Sequence, residues 1–346
     1  MTPKKIIFLI LVILGFLSGL YFNTPLDKHN KNQKNKKNTE INVLVTIKPL
    51  YSLVSGLTKN VPGVKTQLLL SPPNSPHTFH LKPSDVTKIV QSDLLIWVGP
   101  ELENFLINPV ANLKPKTQTL NLIQAANLNL LPIRQDDHWE AHDHGDHGDH
   151  AGHNHDHEHH DHEHHDHHHG SIDPHIWLNT KNAKQIIVAI SKKLQAIDPS
   201  HSALYLKNTH HMLEKLDTLH TKITNDLKTV NHKPFLVFHD AYQYFEKEFG
   251  LQANGSITIN PHIPLSAQRL NHLQGIIQKD NIQCVFSEPE FSRTIVEKLL
   301  QQTKTKNFEL DPLGARIQTN PNQEEMIYFD LMQELSDSFK ACLLSN

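Results

Sequence analysis

Short apolar runs alternate with amphipathic stretches through most of the chain. Ile41 to Ile47 reads as a strand and Pro49 to Lys59 as a helix; Val64 to Leu70 reads as the next strand. Pro83 opens a helix, at the position where its missing N–H costs nothing. Leu94 to Val98 reads as a buried strand and Glu101 to Leu113 as a helix. Strands that alternate with helices in this way predict a parallel sheet covered on both faces. The rhythm then restarts, with strands at Pro234 to Phe238, Ser256 to Ile259, Gln283 to Ser287 and Asn307 to Leu310. Helices are expected between and after them, at Ala241 to Phe249, Ser266 to Lys279, Thr294 to Gln302 and Gln323 to Leu344.

Between the two α/β units lies a helical stretch. Asp198 and Pro199 fit the N-cap and first position of a long helix. Leu206, Leu213, Leu216, Ile223 and Leu227 recur on one broad face. About 30 residues of helix span roughly 45 Å. Two α/β lobes on such a connector make a stiff clamshell.

The N-terminus has a different pattern. Lys4 and Lys5 precede an apolar run from Ile6 to Phe22, broken only by Gly15, Ser18 and Gly19. This is the layout of an export signal, either cleaved or kept as an inner-membrane anchor. No Ala-x-Ala site and no cysteine for lipidation follows it. Residues 23–40 are rich in Asn and Lys and read as a flexible tether. The expected organisation is therefore 1–22 signal or anchor, 23–40 tether, 41–180 N-terminal lobe, 181–230 helical connector and 231–346 C-terminal lobe. An exported, periplasmic location follows. There Cys284 and Cys342 are either two thiols or one disulfide.

The formal net charge of −3 carries no dominant sign and gives no support to a nucleic-acid partner. Histidine is the outlier, at 28 residues. Sixteen of them crowd one acidic segment within the first lobe, 136–169: His138, His142, His144, His147, His150, His153, His155, His157, His159, His160, His162, His164, His165, His167, His168 and His169. A stretch of His, Asp, Glu and Gly builds no core, so a disordered surface loop is expected. Neutral imidazoles bind Zn²⁺, Cu²⁺ and Ni²⁺, and the carboxylates between them add charge attraction. The segment points to transition-metal handling without defining a discrete site.

Three histidines outside it stand after strands or at strand ends, where open α/β sheets bind ligands. They are His77 in Ser-Pro-His-Thr-Phe-His, His175 in Asp-Pro-His-Ile-Trp-Leu, and His239 after Phe238. Each has a plainer alternative. His80 stands three residues beyond His77, His175 borders the metal loop, and His239-Asp240 fits a helix-capping pair.

The segments SPHTFHLKPSD, DPHIWLN, FHDAYQYFEKEFGL, FSEPEFS and LDPLG resemble the zinc receptors of bacterial ABC importers, the ZnuA type. The resemblance extends over nearly all of 41–346, the acidic histidine loop included. It implies an α/β fold of two (β/α)4 lobes joined by a long rigid helix, with Zn²⁺ in the cleft between them as the transported ligand. It also implies that the chain is a monomer, catalyses no reaction and has the permease of a zinc ABC importer as its partner. Carried over, His77, His175 and His239 are the imidazole ligands, and Asp311 of LDPLG is a candidate fourth ligand or a neighbour of the site. Some zinc members have Glu before the first histidine; Pro76 stands there in this chain, leaving a water or Asp311 for the fourth position. Manganese relatives place a carboxylate where His239 stands, and nitrogen there suits zinc. The resemblance also favours a Cys284–Cys342 disulfide.

Two other functions fit the same residues. A three-histidine zinc hydrolase would need a general base, for which Glu288 and Glu290 are nominal candidates. An exported zinc buffer or adhesin would share the fold and lack the importer.

Overall fold

The computed structural model describes residues 40–134, 139, 172–230, 233–258, 265–301, 303–318 and 320–345. The expected export signal, nearly all of the tether and all of the histidine-rich segment except Trp139 lie outside the described residues. Among the described residues no helix is long and apolar enough to cross a membrane.

The first sheet is built around β1 (Ile41–Val45), which pairs in parallel with β2 (Val64–Leu68) and β3 (Leu94–Trp97). β3 pairs in turn with β4 (Gln118–Asn121), giving the order β2-β1-β3-β4. Val43 to Val45 and all of β3 are buried, the pattern of strands covered on both faces. Helix α1 (Lys48–Thr58) follows β1, and α2 (Pro83–Gln91) links β2 to β3. Pro83 starts α2, and the Asp85 carboxylate accepts the Lys82 N–H at 3.1 Å.

The helix expected over Glu101 to Leu113 is a 3₁₀ turn, Asn104–Leu106, followed by the short α3 (Ile107–Ala111). The cause is Glu103. Its buried carboxylate accepts the Thr46 hydroxyl at 2.6 Å and the N–H groups of Val98 and Gly99, folding the chain back onto the strand end. Strand β4 and helix α4 (Leu122–Ala125) have no counterpart in the hydrophobic pattern.

The second sheet runs β5 (Phe235–Leu236), β6 (Cys284–Ser287), β7 (Lys306–Glu309), again all parallel. Of the strand expected at Ser256 to Ile259, the described residues show a parallel bridge between Ser256 and Val237 beside β5, and Ile259 lies outside the described residues. Gly255, at φ 151°, bends the chain just ahead of it. With that bridge counted, both sheets place their segments in the order second, first, third, fourth. Helices α7 (Gln243–Phe249), α8 (Ala267–Lys279) and α9 (Thr294–Leu300) cover the second sheet.

Two helices join the sheets. α5 (Thr180–Ile197) is capped by Asn179, whose side chain accepts the Asn182 N–H at 2.8 Å. The long helix, α6 (Ser202–Leu227), has 26 residues, about 39 Å at 1.5 Å per residue. Asp198 does not cap it directly. A 3₁₀ turn, Pro199–His201, intervenes, and the Asp198 carboxylate takes Ser200 Oγ, His201 Nδ1 and Tyr205 Oη instead. The buried face of α6 is Tyr205, Met212, Leu216, Leu219, Ile223 and Leu227; Leu206, expected there, is 55% exposed. Gly56 of α1 lies so close to α6 that a Cβ there would stand 2.5 Å from Met212 Sδ.

The closing helix α10 (Ile327–Leu344) follows the second sheet in sequence but packs along α1 and α6. Tyr328 binds both ways, its N–H to Ser52 Oγ at 2.9 Å and its hydroxyl to the Trp177 carbonyl at 2.7 Å. Val43, Leu94, Ile186, Leu216, Phe235 and Phe339 consequently belong to one continuous core. Cys284, first residue of β6, is disulfide-bonded to Cys342 in the last turn of α10, their Cα atoms 6.0 Å apart.

This bond closes a long loop and restrains the unfolded chain. Denatured, unreduced protein is expected to show no titratable thiol. Reduction is expected to lower folding stability by about 2–4 kcal/mol, measured from denaturant midpoints with and without reductant. Two free thiols, or an unchanged midpoint, would contradict the assignment.

Candidate metal centre

Each of the three strand-end histidines arrives on a separately braced segment. After β2 the chain stays paired through Leu69 and Leu70, whose N–H groups bind the carbonyls of Val45 and Thr46. It then turns through Pro72, Pro73 and Pro76 and presents His77. His80, the alternative first ligand, is exposed, and its Nδ1 lies 2.8 Å from the Thr78 carbonyl. His175 comes in after the antiparallel bridge of Ile172 to Pro132, with the Asp173 N–H on the Leu131 carbonyl. His239 follows the buried residues Val237 and Phe238 at the end of β5.

These three side chains converge. Each offers a nitrogen, and the three atoms lie within 4.8 Å of one another. Nε2 of His175 is 3.3 Å from Nε2 of His77 and 3.4 Å from Nε2 of His239. Zn–N bonds of about 2.05 Å at the tetrahedral angle place two nitrogens about 3.3 Å apart. The spacing already matches a tetrahedral zinc ion.

Two buried carboxylates fix which ring nitrogen faces inward. His175 donates from Nδ1 to Asp173 Oδ1 at 2.8 Å, and its backbone N–H reaches the same oxygen at 3.0 Å. His239 donates from Nδ1 to Glu288 Oε1 at 2.8 Å, and Tyr242 Oη donates to that oxygen at 3.0 Å. With Nδ1 of both rings committed, Nε2 of each is the nitrogen left to face the cavity. The two Nε2 atoms stand 3.4 Å apart, close enough to share one cation.

Charge follows the same design. Burial first, then His239, holds the His175 imidazole well below its ordinary range, so the ring is a neutral donor. Burial also pulls His239 down, but the charge and hydrogen bond of Glu288 outweigh it and the net shift is upward. Burial pushes the Asp173 carboxyl up to about 7, against the His175 N–H, Arg134 and Gln243.

The cavity around the trio is also lined by Ser75, Pro76, Trp177, Glu288, Glu290, Phe291, Pro312 and Leu313. Asp311 is not in the converging group. Its carboxylate accepts the N–H groups of Leu313 at 3.3 Å and Arg316 at 2.9 Å. Its loop is held by Lys48 Nζ on the Gly314 carbonyl at 2.7 Å and by Trp177 Nε1 on the Pro312 carbonyl at 2.8 Å. Glu288, a nominal general base in the sequence, is engaged with His239 and Tyr242. Burial first, then the charges of Glu288 and Asp311, push the Glu290 carboxyl up to about 9.

Sequence reasoning missed Asp173 and Glu288 as the groups that orient the rings. Asp173 could have been found from Asp-Pro-His, where a carboxylate two residues ahead reaches back to the imidazole. Nothing local signals Glu288, which meets His239 only because β5 and β6 pair in parallel.

Three inward imidazoles between two parallel α/β lobes, braced by carboxylates on their outer nitrogens, define a metal-binding receptor of the cleft type. The family model described as zinc-uptake complex component A, periplasmic, matches residues 43–342, and the chain belongs to that family. It is 40% identical over 310 residues to the high-affinity zinc uptake system protein ZnuA of Brucella abortus, with 87% of this chain and 91% of that protein covered. Against the protein of the same description from Haemophilus influenzae the identity is 34% over 324 residues, covering 87% and 92%. The solved structure of the periplasmic zinc binding protein TroA from Treponema pallidum shares the fold at a TM-score of 0.71 and 16% identity, covering 88% of this chain and all of that one.

Partners of metal-bound histidines set ring orientation and basicity. Asp173→Asn and Glu288→Gln are each expected to weaken zinc binding by roughly 10–100-fold, measured by chelator competition. Unchanged affinity in both variants would remove the orienting role.

Proposed function

We propose that the chain captures Zn²⁺ outside the cytoplasmic membrane and delivers it to the membrane permease of an ABC importer, with no reaction catalysed. The observation that carries this is the pair of Nε2–Nε2 distances, 3.3 and 3.4 Å, suited to tetrahedral zinc and set by carboxylates on the far side of the rings. An all-nitrogen trio favours zinc over manganese, which takes more oxygen donors. Membership of a zinc-uptake family supports the same cargo. His77, His175 and His239 are the ligands in this reading. The lobes are 41–180 and 231–346, with 181–230 connecting them. The apolar run at 6–22 acts as export signal or anchor, and the receptor works as a monomer.

Changing any one ligand to Ala in a protein lacking 136–169 is expected to weaken zinc binding by more than the roughly 10–100-fold seen for partners of ligands. His80→Ala should leave it unchanged. Isothermal or competition titration reads both. Tight binding that survives His239→Ala would show that the trio is not the site.

The histidine-rich segment 136–169 is proposed to gather several further ions more weakly than the cleft. A chain without a packed core must be ordered around each ion, whereas the cleft ligands are already held. Deleting it is expected to abolish the weak sites and leave one tight site. The weak sites should also fade as pH falls through about 6.5, the range of an unperturbed imidazole. Loss of the tight site on deletion would make the segment itself the receptor.

A further inference from the structure

The rings of His175 and His239 come from segments far apart in the chain, yet their Nε2 atoms stand at the spacing that one tetrahedral ion needs. The His175 segment is a two-stranded return, closed by the bridge of Pro132 to Ile172. The His239 segment runs from the end of β5 into α7. Side chains of α7 fasten the second segment to the first. Tyr244 Oη accepts the Leu131 N–H at 3.0 Å and donates to the Asp173 carbonyl at 2.9 Å. Gln243 Nε2 donates to the Pro132 carbonyl at 2.9 Å and to Asp173 Oδ2 at 3.2 Å.

One side chain of the return reaches the other way. Arg134 Nε lies 3.1 and 2.9 Å from the two oxygens of Asp240, and Nη2 binds Asp240 Oδ1 as well. Nη1 and Nη2 donate to the two oxygens of Glu246 at 2.9 and 3.1 Å. Asp240 directly follows His239, in a turn where the Ala241 N–H closes back on the His239 carbonyl at 2.9 Å. Glu246 is buried in α7 and also accepts the Ala253 N–H at 3.0 Å. The Trp139 ring lies over the guanidinium, 3.4 Å from its carbon, and is itself only 6% exposed.

A planar guanidinium between two carboxylates fixes direction as well as distance. An aromatic cover attracts the cation and shields the ion pairs from water and salt. Among the described residues no other Lys or Arg is ion-paired with Asp240 or Glu246. Without Arg134, two carboxylates beside the turn that aims His239 would lose their counter-charge. Asp173 and Glu288 orient the individual rings; Arg134 sets one ring-bearing segment against the other. We propose that Arg134, covered by Trp139, is a positioning residue of the zinc site: by gripping Asp240 and Glu246 it holds His239 in register with His175. This rests on the zinc reading above but fails separately from it.

The test uses the full chain with one molar equivalent of zinc under chelator competition, so that only the tight site is loaded. Arg134→Gln, Arg134→Lys, Lys59→Gln and His175→Ala are compared. The readouts are zinc affinity, the Tm of each metal-free protein and the visible spectrum of the cobalt-loaded forms, which follows ligand geometry. Lys59→Gln is the structural control, since it breaks a different ion pair, with Glu325 ahead of α10. Arg134→Gln is expected to lose about tenfold in zinc affinity and to shift the cobalt spectrum. Arg134→Lys keeps the charge without the fork; it should lose less affinity and still shift the spectrum. Lys59→Gln should keep the affinity and spectrum of the parent, whatever its Tm. Parent-like affinity and spectrum in Arg134→Gln overturn the proposal. So do parent-like values in Arg134→Lys, which also decides the matter if Arg134→Gln does not fold. An equal loss of affinity in Lys59→Gln would show general loosening and overturn it too. Tight binding in His175→Ala would overturn the zinc reading itself.

Discussion

The convergence of three imidazoles, with the Nε2 atoms of His175 and His239 3.4 Å apart, organises this molecule. It persists because Asp173 and Glu288 occupy the Nδ1 atoms of His175 and His239, and because both carboxylates are buried where water cannot compete for them. The orientation of the rings therefore depends on how firmly these carboxylates are placed.

Their placement reaches across the chain. Asp173 is placed by a bridge to the segment that leaves the first sheet, and Glu288 by the parallel pairing of β5 with β6. Arg134 stacks on Trp139 at 3.4 Å and is paired to Asp240, next to His239, and to Glu246 at 2.9 Å. Arg134, just ahead of the histidine-rich segment, is thus fixed beside the site. The continuous core, running through α1, α5, α6 and α10, keeps the two sheets in register so that residues from both meet within bonding distance. A stiff frame of this kind suits preorganised ligands, which lose little freedom when the ion arrives.

Much of this was legible in advance for identifiable reasons. β1 and β3 are unbroken apolar runs, and Pro83 marks a helix start that few other positions tolerate. The histidines at 77, 175 and 239 each follow a strand or a structured return, so their placement carried information. β4 did not show itself because only Leu120 of its four residues is buried. The face of α6 was misjudged at Leu206 because apolar residues lie on more than one side of that helix. The neighbours α5 and α10, absent from any local window, decide which side is covered.

By itself the sequence determined the alternation of elements, the restart of the pattern that makes two lobes, and the imidazole chemistry of the site. Those properties depend on side-chain type and on short-range spacing, which a linear reading contains. Only the tertiary structure decided which carboxylates serve the site. Asp311, adjacent in motif, is engaged by backbone N–H groups; Glu288, 49 residues from His239, is bonded to it. A carboxylate's role is set by the donors that reach it in space, and those donors come from strand pairing and helix packing between segments far apart in the chain.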